Sequence, residues 1–246
     1  MDLVGQLRAS ILAQNLPHPS TAFLNSLIIT RSPPPPLPSL LATAKARLLA
    51  ADLTSSTIIS TGSLQSFPSD AGSTESREKR IPRPLHVQVL DIENLASSRW
   101  EQVEEMEAVA RGETTRGREV VRVTAEDDDE DGVDGPTQQP PASRNTVGPK
   151  PAGKNATHRL VLQDCKGTKL FALELRRFDS IGVGKTQIGE KIFLKAGTVV
   201  ARGIILLEPD KCVMLGGKIE AWQKAWVDGR LARLKEEIRQ NERQAS

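Results

Sequence analysis

The sequence is poor in the residues on which most catalytic and base-stacking sites depend. Among its 246 residues there is no tyrosine, there are two cysteines and three histidines, and aromatic residues make up 3%. Cys165 and Cys212 have no CxxC partner and no histidine cluster, so we expect neither a zinc site nor a disulfide framework. Two reduced thiols are typical of an intracellular protein.

Long apolar runs are also absent. No stretch approaches the roughly 18 apolar residues of a membrane-spanning helix, and the N-terminus has no apolar signal-peptide core. The sequence therefore predicts neither secretion nor insertion into a membrane. A formal charge of +2 is too close to neutral to predict a polyanionic partner from the net field alone.

Residues 1–54 have the spacing of amphipathic helices. Apolar residues recur every three or four positions in three segments, which are separated by Pro17, Pro19 and the four prolines at 33–36. Ser20 stands where an N-cap would open the second helix. We predict a three-helix bundle. Its second helix has no basic residue, which favours packing or protein docking over reading of DNA.

Residues 55–82 are rich in Ser, Thr and Gly and include Pro68 and Pro82. Such a composition is typical of a connecting segment. We therefore predict a flexible linker, and the sequence leaves open whether the helices contact the unit that follows.

Residues 83–217 contain about five segments with strand character. They lie near 85–89, 158–163, 170–175, 192–196 and 199–207. The last one stops at Pro209, because proline cannot donate to a β-ladder. Five strands suit an OB-type Greek-key barrel. Together with the helices, this predicts an α+β protein.

The tail, residues 218–246, is predicted to be a helix. Ile219, Trp222 and Trp226 share one face, but the apolar phase shifts after Gly229, so we expect a kink or break there. The two tryptophans have two interpretations. We favour packing against the barrel over an anchor for a partner, although tryptophan is enriched at interface hot spots.

Residues 112–156 interrupt the strand pattern. From Glu126 to Asp134, seven of nine residues are acidic, and five prolines follow between positions 136 and 151. Such a stretch cannot bury enough apolar surface to offset the entropy of ordering it. We predict a long, mobile, acidic insertion after the first barrel strand. We favour a solvated charge run over a weak divalent-cation site within it.

Two patterns that suggest an enzyme are incomplete. The run from Gly182 to Thr186 matches the end of a phosphate-binding loop, but Asp179 stands where the first glycine of that motif is required. His18, His86 and His158 have no recognisable partner for a catalytic triad. We therefore predict a protein with no catalytic residues, no cofactor and no metal site.

Nucleic-acid binding is the main competing hypothesis, because OB folds hold single strands on exposed aromatic residues in a basic groove. Phe171 lies on the expected binding strands, with Phe178 just beyond them. Phe171 alternates in phase with Leu173 and Leu175, so we assign it to the core. We expect DNA binding to be weak and sensitive to salt. A generic OB-fold module for single-stranded nucleic acid remains the alternative.

Two short segments match a known pattern in both sequence and order. They are the run from Val89 to Ala96, and the run from Leu206 to Asp210 followed by Leu215-Gly-Gly217. With the helical start and the long insertion, they resemble the family of RecQ-mediated genome instability protein 1. The resemblance covers about 1–54 and 84–220. It implies a nuclear, non-catalytic OB-fold subunit that binds topoisomerase III, a type IA enzyme, and acts with a RecQ helicase in double Holliday junction dissolution, decatenation and genome stability.

The resemblance also implies how the parts act. The long barrel loop of the family, here residues 112–156, enters the topoisomerase gate region and influences how long the gate stays open. DNA would be bound only weakly or through the complex. The chain ends soon after the barrel, so we expect it to lack the additional C-terminal OB domain of longer relatives. Partner contacts are expected at Val120, Val121, Val123, Asp127, Asp128, Asp129, Leu207, Pro209 and Leu215.

Overall fold

The computed structural model describes residues 3–29, 33–112, 114–115, 118–119 and 156–245. Two main hydrophobic cores organise this part of the chain, one among the N-terminal helices and one inside a curled β-sheet. No helix within these ranges is long and apolar enough to cross a bilayer.

Three helices form the N-terminal unit: α1 (Leu3–Ala13), α2 (Thr21–Ile29) and α3 (Leu37–Ala50). The Ser20 hydroxyl accepts a hydrogen bond from the backbone N–H of Phe23 at 3.2 Å and so caps α2. Pro38 lies in the first turn of α3, where a missing N–H breaks no hydrogen bond. Leu7 and Leu48 are fully buried where the helices meet. The predicted helical bundle is confirmed.

The segment 55–82 is packed, which corrects the prediction of a flexible linker. It contains a 3-10 turn (Thr61–Ser63) and strand β1 (Lys79–Arg80). Ile59 and Leu64 enter the helical core, whereas Phe67 and Ile81 enter the sheet core. These side chains pack singly into two different cores, so no helix or strand periodicity marks them in the sequence.

Eight strands form one curled sheet, and two more pair in the insertion. After β1, the chain order is β2 (Leu85–Asn94), β3 (Thr114–Thr115), β4 (Arg118–Glu119), β5 (His158–Gln163), β6 (Lys169–Glu174), β7 (Lys191–Leu194), β8 (Val199–Ala201), β9 (Ile204–Leu207) and β10 (Cys212–Gly216). The sheet order is β1-β8-β9-β6-β5-β2-β7-β10, and within it β6 and β9 are parallel. Strands β3 and β4 form the separate pair.

The chain from Lys191 to Ala201 returns the sheet on itself. Its first part, β7, pairs with β2, and its second part, β8, pairs with β9. The following stretch, from Ile204 to Gly216, is bent in the same way: its first part, β9, pairs with β6, and its second part, β10, pairs with β7. When each bent pair is counted as one long strand, the circuit has the five strands of an OB fold. The predicted OB fold is confirmed, with its last two strands bent into two segments each.

Strand β2 contains a bulge. Its register with β5 shifts between Val89 and Asp91, which leaves Leu90 as the extra residue. Val87 and Val89 enter the core before the bulge, and Ile92 enters it afterwards. The outward-facing positions therefore change from even to odd numbers along this strand.

Two further helices accompany the sheet. Helix α4 (Arg99–Ala110) opens with a capping box formed by Ser98 and Glu101. Helix α5 (Glu220–Ala245) continues through Gly229, so of the predicted kink or break the break is wrong. Leu234 and Ile238 beyond the glycine pack against Val103 of α4 rather than the barrel. The shift in apolar phase thus reflects a change of packing partner.

A buried amide joins the helical unit to the sheet. The Gln88 Oε1 atom accepts from the backbone N–H of Leu53 at 3.0 Å. Its Nε2 atom donates to Asp52 Oδ1 at 2.7 Å and to Gln163 Oε1 at 3.0 Å. Gln88 is fully buried, and a buried polar group left without a partner costs about 1–3 kcal/mol. These bonds therefore hold the bundle in one position on the sheet.

Lys191 is buried beside this junction. Its side chain has no solvent exposure, and Nζ donates to the carbonyl oxygen of Gly189 at 2.5 Å. Burial lowers the pKa of Lys191 from 10.5 to about 8, although the charges of Asp52 and Glu190 oppose the shift. Burial also raises the pKa of the Cys212 thiol from 9.0 to about 11.

We expect the stability of the protein to rise with pH between about 8 and 9. Over this range the folded chain releases the Lys191 proton, whereas the unfolded chain keeps it up to a pKa of 10.5. The unfolded state then binds more protons, so the free energy of unfolding increases by about 1 kcal/mol per pH unit. Above pH 9 the Cys212 thiol has the opposite effect, because it ionises first in the unfolded chain. Urea denaturation across this range measures the trend.

The control is a Lys191→Met variant in which both cysteines are replaced by alanine. Methionine keeps the apolar length of the side chain but cannot titrate, so the rise should vanish in this variant and persist in the alanine background with Lys191. A rise of equal size in both proteins would assign the effect to another group.

Candidate partner interface

The outer face of the sheet exposes a row of apolar side chains. Phe171 and Leu173 point outward from β6, and the register with β9 places Ile204 beside Phe171 and Leu206 beside Leu173. Leu175 lies just beyond β6. Phe171, Leu175 and Ile204 are 48%, 56% and 38% exposed. We call these five residues the outer patch.

The position of Phe171 corrects its assignment to the core. The alternation predicted along β6 is present, but its phase is reversed. The inward positions are Leu170, Ala172 and Glu174. The buried face cannot be recognised from the sequence, because it carries an alanine and a glutamate whereas the exposed face carries the larger apolar residues.

Cationic side chains border the outer patch. The guanidinium carbon of Arg159 lies 5.0 Å from the ring centroid of Phe171, while Arg159 also binds Glu93 at 2.5 Å. The Arg176 side chain is 72% exposed and lies 4.0 Å from Glu208, and Lys169 is exposed at the start of β6. An aromatic ring with arginine and exposed aliphatic residues is a composition typical of protein-binding hot spots.

A buried histidine–carboxylate pair fixes the point where the insertion rejoins the sheet. His158 is the first residue of β5, and its Nδ1 lies 2.6 Å from Glu174 Oε2. The same carboxylate accepts from the backbone N–H of His158 at 2.8 Å and of Phe178 at 3.1 Å. The next residue, Arg159, pairs with Leu173, so the insertion returns directly beside the outer patch.

The pairing of His158 with Glu174 was not predicted from the sequence, where His158 has no recognisable partner. Glu174 could have indicated the pair, because it lies on the same face of β6 as Leu170 and Ala172, and a carboxylate on a buried face needs a polar partner. His158 Nε2 has no hydrogen-bond partner among the described residues, whereas a hydrolytic triad requires a nucleophile there. The contacts of the pair are those of a positioning element.

The run from Gly182 to Thr186 folds as a connecting turn. The backbone N–H groups of Lys185 and Thr186 both donate to the carbonyl oxygen of Gly182 at 2.9 Å. The Lys185 ammonium donates to the carbonyl oxygen of Asp179 at 3.0 Å. These donors are engaged within the turn instead of converging on a phosphate.

The cysteines and the acidic groups form no reactive constellation in the described part of the chain. Burial raises the pKa of both the Cys165 and the Cys212 thiol, which keeps them protonated and unreactive at neutral pH. Within the described ranges, no three His, Cys, Asp or Glu residues are placed to hold a metal ion.

The predicted partner residues are divided between described and undescribed parts of the chain. Leu207 is fully buried in the sheet core, so its side chain is removed from the predicted interface. Pro209 is exposed in the turn after β9. Leu215 is half-buried and packs against the helical core. Six others lie outside the described residues: Val120, Val121, Val123, Asp127, Asp128 and Asp129.

The geometry defines an OB-fold protein with a helical unit in front of the barrel and an insertion after the first barrel strand. Two family models match it: "RMI1, N-terminal helical domain" over residues 12–56, and "RMI1, N-terminal OB-fold domain" over residues 67–230. The second match alone covers more than half of the 246 residues. The chain therefore belongs to the RMI1 family, which confirms the resemblance inferred from its sequence.

A curated relative from Schizosaccharomyces pombe, RecQ-mediated genome instability protein 1, is 27% identical over 161 residues. The alignment covers 64% of this chain and 66% of that protein. The chain thus spans just under two thirds of the length of the relative. The name of that protein associates it with a RecQ pathway and with genome stability.

Proposed function

We propose that this chain is a non-catalytic nuclear subunit that binds topoisomerase III and acts with a RecQ helicase in double Holliday junction dissolution and decatenation. Membership of the RMI1 family and the name of the yeast relative support the pathway. The observation that carries the binding role is the outer patch, where large apolar side chains are presented to solvent on a rigid sheet. Such a surface is typical of a docking site.

The outer patch is the proposed docking face for the topoisomerase. Phe171 and Ile204 lie side by side on hydrogen-bonded strands, so their positions are fixed before binding and little entropy is lost on association. Arg159 stacks over the ring and is itself held by Glu93. A preorganised aromatic–arginine pair of this kind is a strong candidate for a binding hot spot.

The acidic insertion is the proposed modulator of the DNA gate. Its return point at His158 lies beside the outer patch, so a partner docked there would have the insertion close by. Its carboxylates, including Asp127, Asp128 and Asp129, would compete with DNA for basic surfaces of the gate. By binding one gate conformation better than the other, the insertion would shift their populations by no more than that difference in affinity.

The docking face is tested by a Phe171→Glu, Ile204→Glu double variant. Two buried charges in an apolar interface should weaken binding at least about tenfold, since single hot-spot losses reach about 2 kcal/mol. Pull-down with topoisomerase III, followed by titration, measures the loss. Ile29→Glu is the matched control, because Ile29 is an exposed isoleucine (79%) on the helical unit. Equal binding by the double variant and the control would remove the outer patch from the interface.

The gate hypothesis is tested by replacing residues 112–156 with a short linker. The docking face is retained in this variant, so we expect topoisomerase binding to persist while stimulation of Holliday junction dissolution is lost. A second variant with asparagine at Asp127, Asp128 and Asp129 separates the charge from the length of the insertion. Unchanged dissolution by the deletion variant would contradict the gate hypothesis.

A generic single-strand binding module is the second candidate function, and the exposure of Phe171 beneath Arg159 favours it. OB folds bind single strands on the second and third barrel strands, here β5 and β6, by stacking bases on aromatic rings. Here the ring stands alone among aliphatic residues, and nearby cations are partly paired with Glu93 and Glu208.

Titration of the isolated protein with labelled oligothymidine at low and near-physiological salt separates the two functions. We expect binding that is weak at low salt and is lost as salt rises, because contacts to phosphate release counterions. Tight binding that survives higher salt, and that falls with Phe171→Ala but not with Phe171→Trp, would instead support the single-strand module.

A further inference from the structure

A shallow, open groove with a volume of about 440 Å³ lies between α5 and the sheet. Its apolar lining includes Leu90, Ile188, Trp222 and Trp226, and two cationic residues, Lys169 and Arg233, stand at its sides. Leu90 is the extra residue of the β2 bulge, so the bulge itself turns this side chain away from the core and into the groove.

The walls of the groove are held in place by hydrogen bonds. Trp226 Nε1 donates to Asp91 Oδ1 at 2.5 Å, next to the bulge. The backbone N–H of Ile188 donates to Gln223 Oε1 at 2.6 Å, which fixes the first turns of α5 against the barrel. These bonds keep the side chains that line the groove in position before a ligand binds.

The glycine at position 229 leaves space in the groove that a side chain would fill. It lies in the interior of α5, where a glycine costs about 1 kcal/mol relative to alanine. A Cβ atom at this position would meet nothing within 4 Å, so no packing contact demands a glycine. Gly229 lines the groove, and any larger side chain there would occupy its space.

The charges of the groove select the class of occupant. Its lining includes Lys169, Arg233 and the amide of Gln163 but no carboxylate. Lys169 forms no ion pair within the described residues, so it is available to a ligand carboxylate. Asp91 follows Leu90 in the chain but does not line the groove; it accepts a hydrogen bond from Trp226 Nε1 and lies 3.9 Å from Arg233.

The same geometry disfavours a nucleic acid strand. The guanidinium carbons of Arg230 and Arg233 lie 5.1 Å and 5.7 Å from the ring of Trp226 and cover the surface on which a base would stack. Two cations beside one cavity also fall short of the charged track that a phosphate backbone requires. An aliphatic and aromatic floor suits a single large apolar side chain.

We propose that this groove binds a short acidic peptide segment of a partner protein. One large apolar side chain of the peptide packs against Leu90, Ile188 and Trp222, and its flanking carboxylates pair with Lys169 and Arg233. Lys169 borders both the outer patch and the groove, so Gly229→Leu, which leaves the outer patch unchanged, is the variant that separates this inference from topoisomerase binding.

Selection from a random twelve-residue phage library on the full chain tests the proposal, with excess soluble Gly229→Leu protein as competitor. Leucine fills the groove and is a better helix former than glycine, so this variant should melt at or above the wild-type temperature. Enriched peptides should carry one large apolar residue flanked by at least two acidic residues. Synthetic, fluorescein-labelled copies should bind Gly229→Leu and Lys169→Glu at least tenfold more weakly than wild type.

Matched controls lie on the solvent face of the same helix. Ala232→Leu repeats the change in size and Lys224→Glu repeats the change in charge, and both should bind the peptides as wild type does. Three results would overturn the proposal: no enrichment, enriched peptides that bind Gly229→Leu equally well, or peptides without acidic residues. Labelled oligothymidine whose binding is lost in Gly229→Leu would likewise assign the groove to nucleic acid.

Discussion

A single extra residue in β2 is the constraint on which the outer surfaces of this protein depend. The strand borders β5 and β7 and must keep Val87, Val89 and Ile92 in the core. Because the bulge at Leu90 changes the phase, the first half of the strand presents Gln88 to the helical unit and the second half presents Asp91 to α5. Without that change, a regular strand could not serve both neighbours with polar side chains while keeping its apolar side chains buried.

Two buried polar side chains, Gln88 and Glu174, each position a different part of the chain. The amide of Gln88 holds the helical unit, and the carboxylate of Glu174 holds the return of the insertion through His158. Each satisfies several backbone or side-chain groups at once, so each is costly to disturb. The exposed apolar residues Phe171 and Ile204, by contrast, hold no two parts of the described chain together. Polar contacts thus fix the internal arrangement of the described chain, and under the proposed function Phe171 and Ile204 are available to a partner.

The elements that the sequence predicted correctly are those whose signal is local. The three helices, the cap at Ser20 and the stop at Pro209 follow from spacing and backbone chemistry alone. The errors arose where tertiary contacts decide. Which face of β6 is buried depends on the hydrogen bond between Glu174 and His158. The packing of 55–82 depends on single side chains that enter two different cores. The continuity of α5 at Gly229 depends on α4, which takes over the apolar face beyond it.

The anchoring of the insertion has an evolutionary consequence. It leaves the barrel after a capped helix and returns at a buried pair, so the scaffold on either side is complete without it. Lengthening such a segment twofold costs only about 0.6 kcal/mol in closure entropy. Related lineages can therefore lengthen, shorten or recharge this segment by mutation while inheriting the same barrel, and its sequence should diverge faster than the framework that carries it.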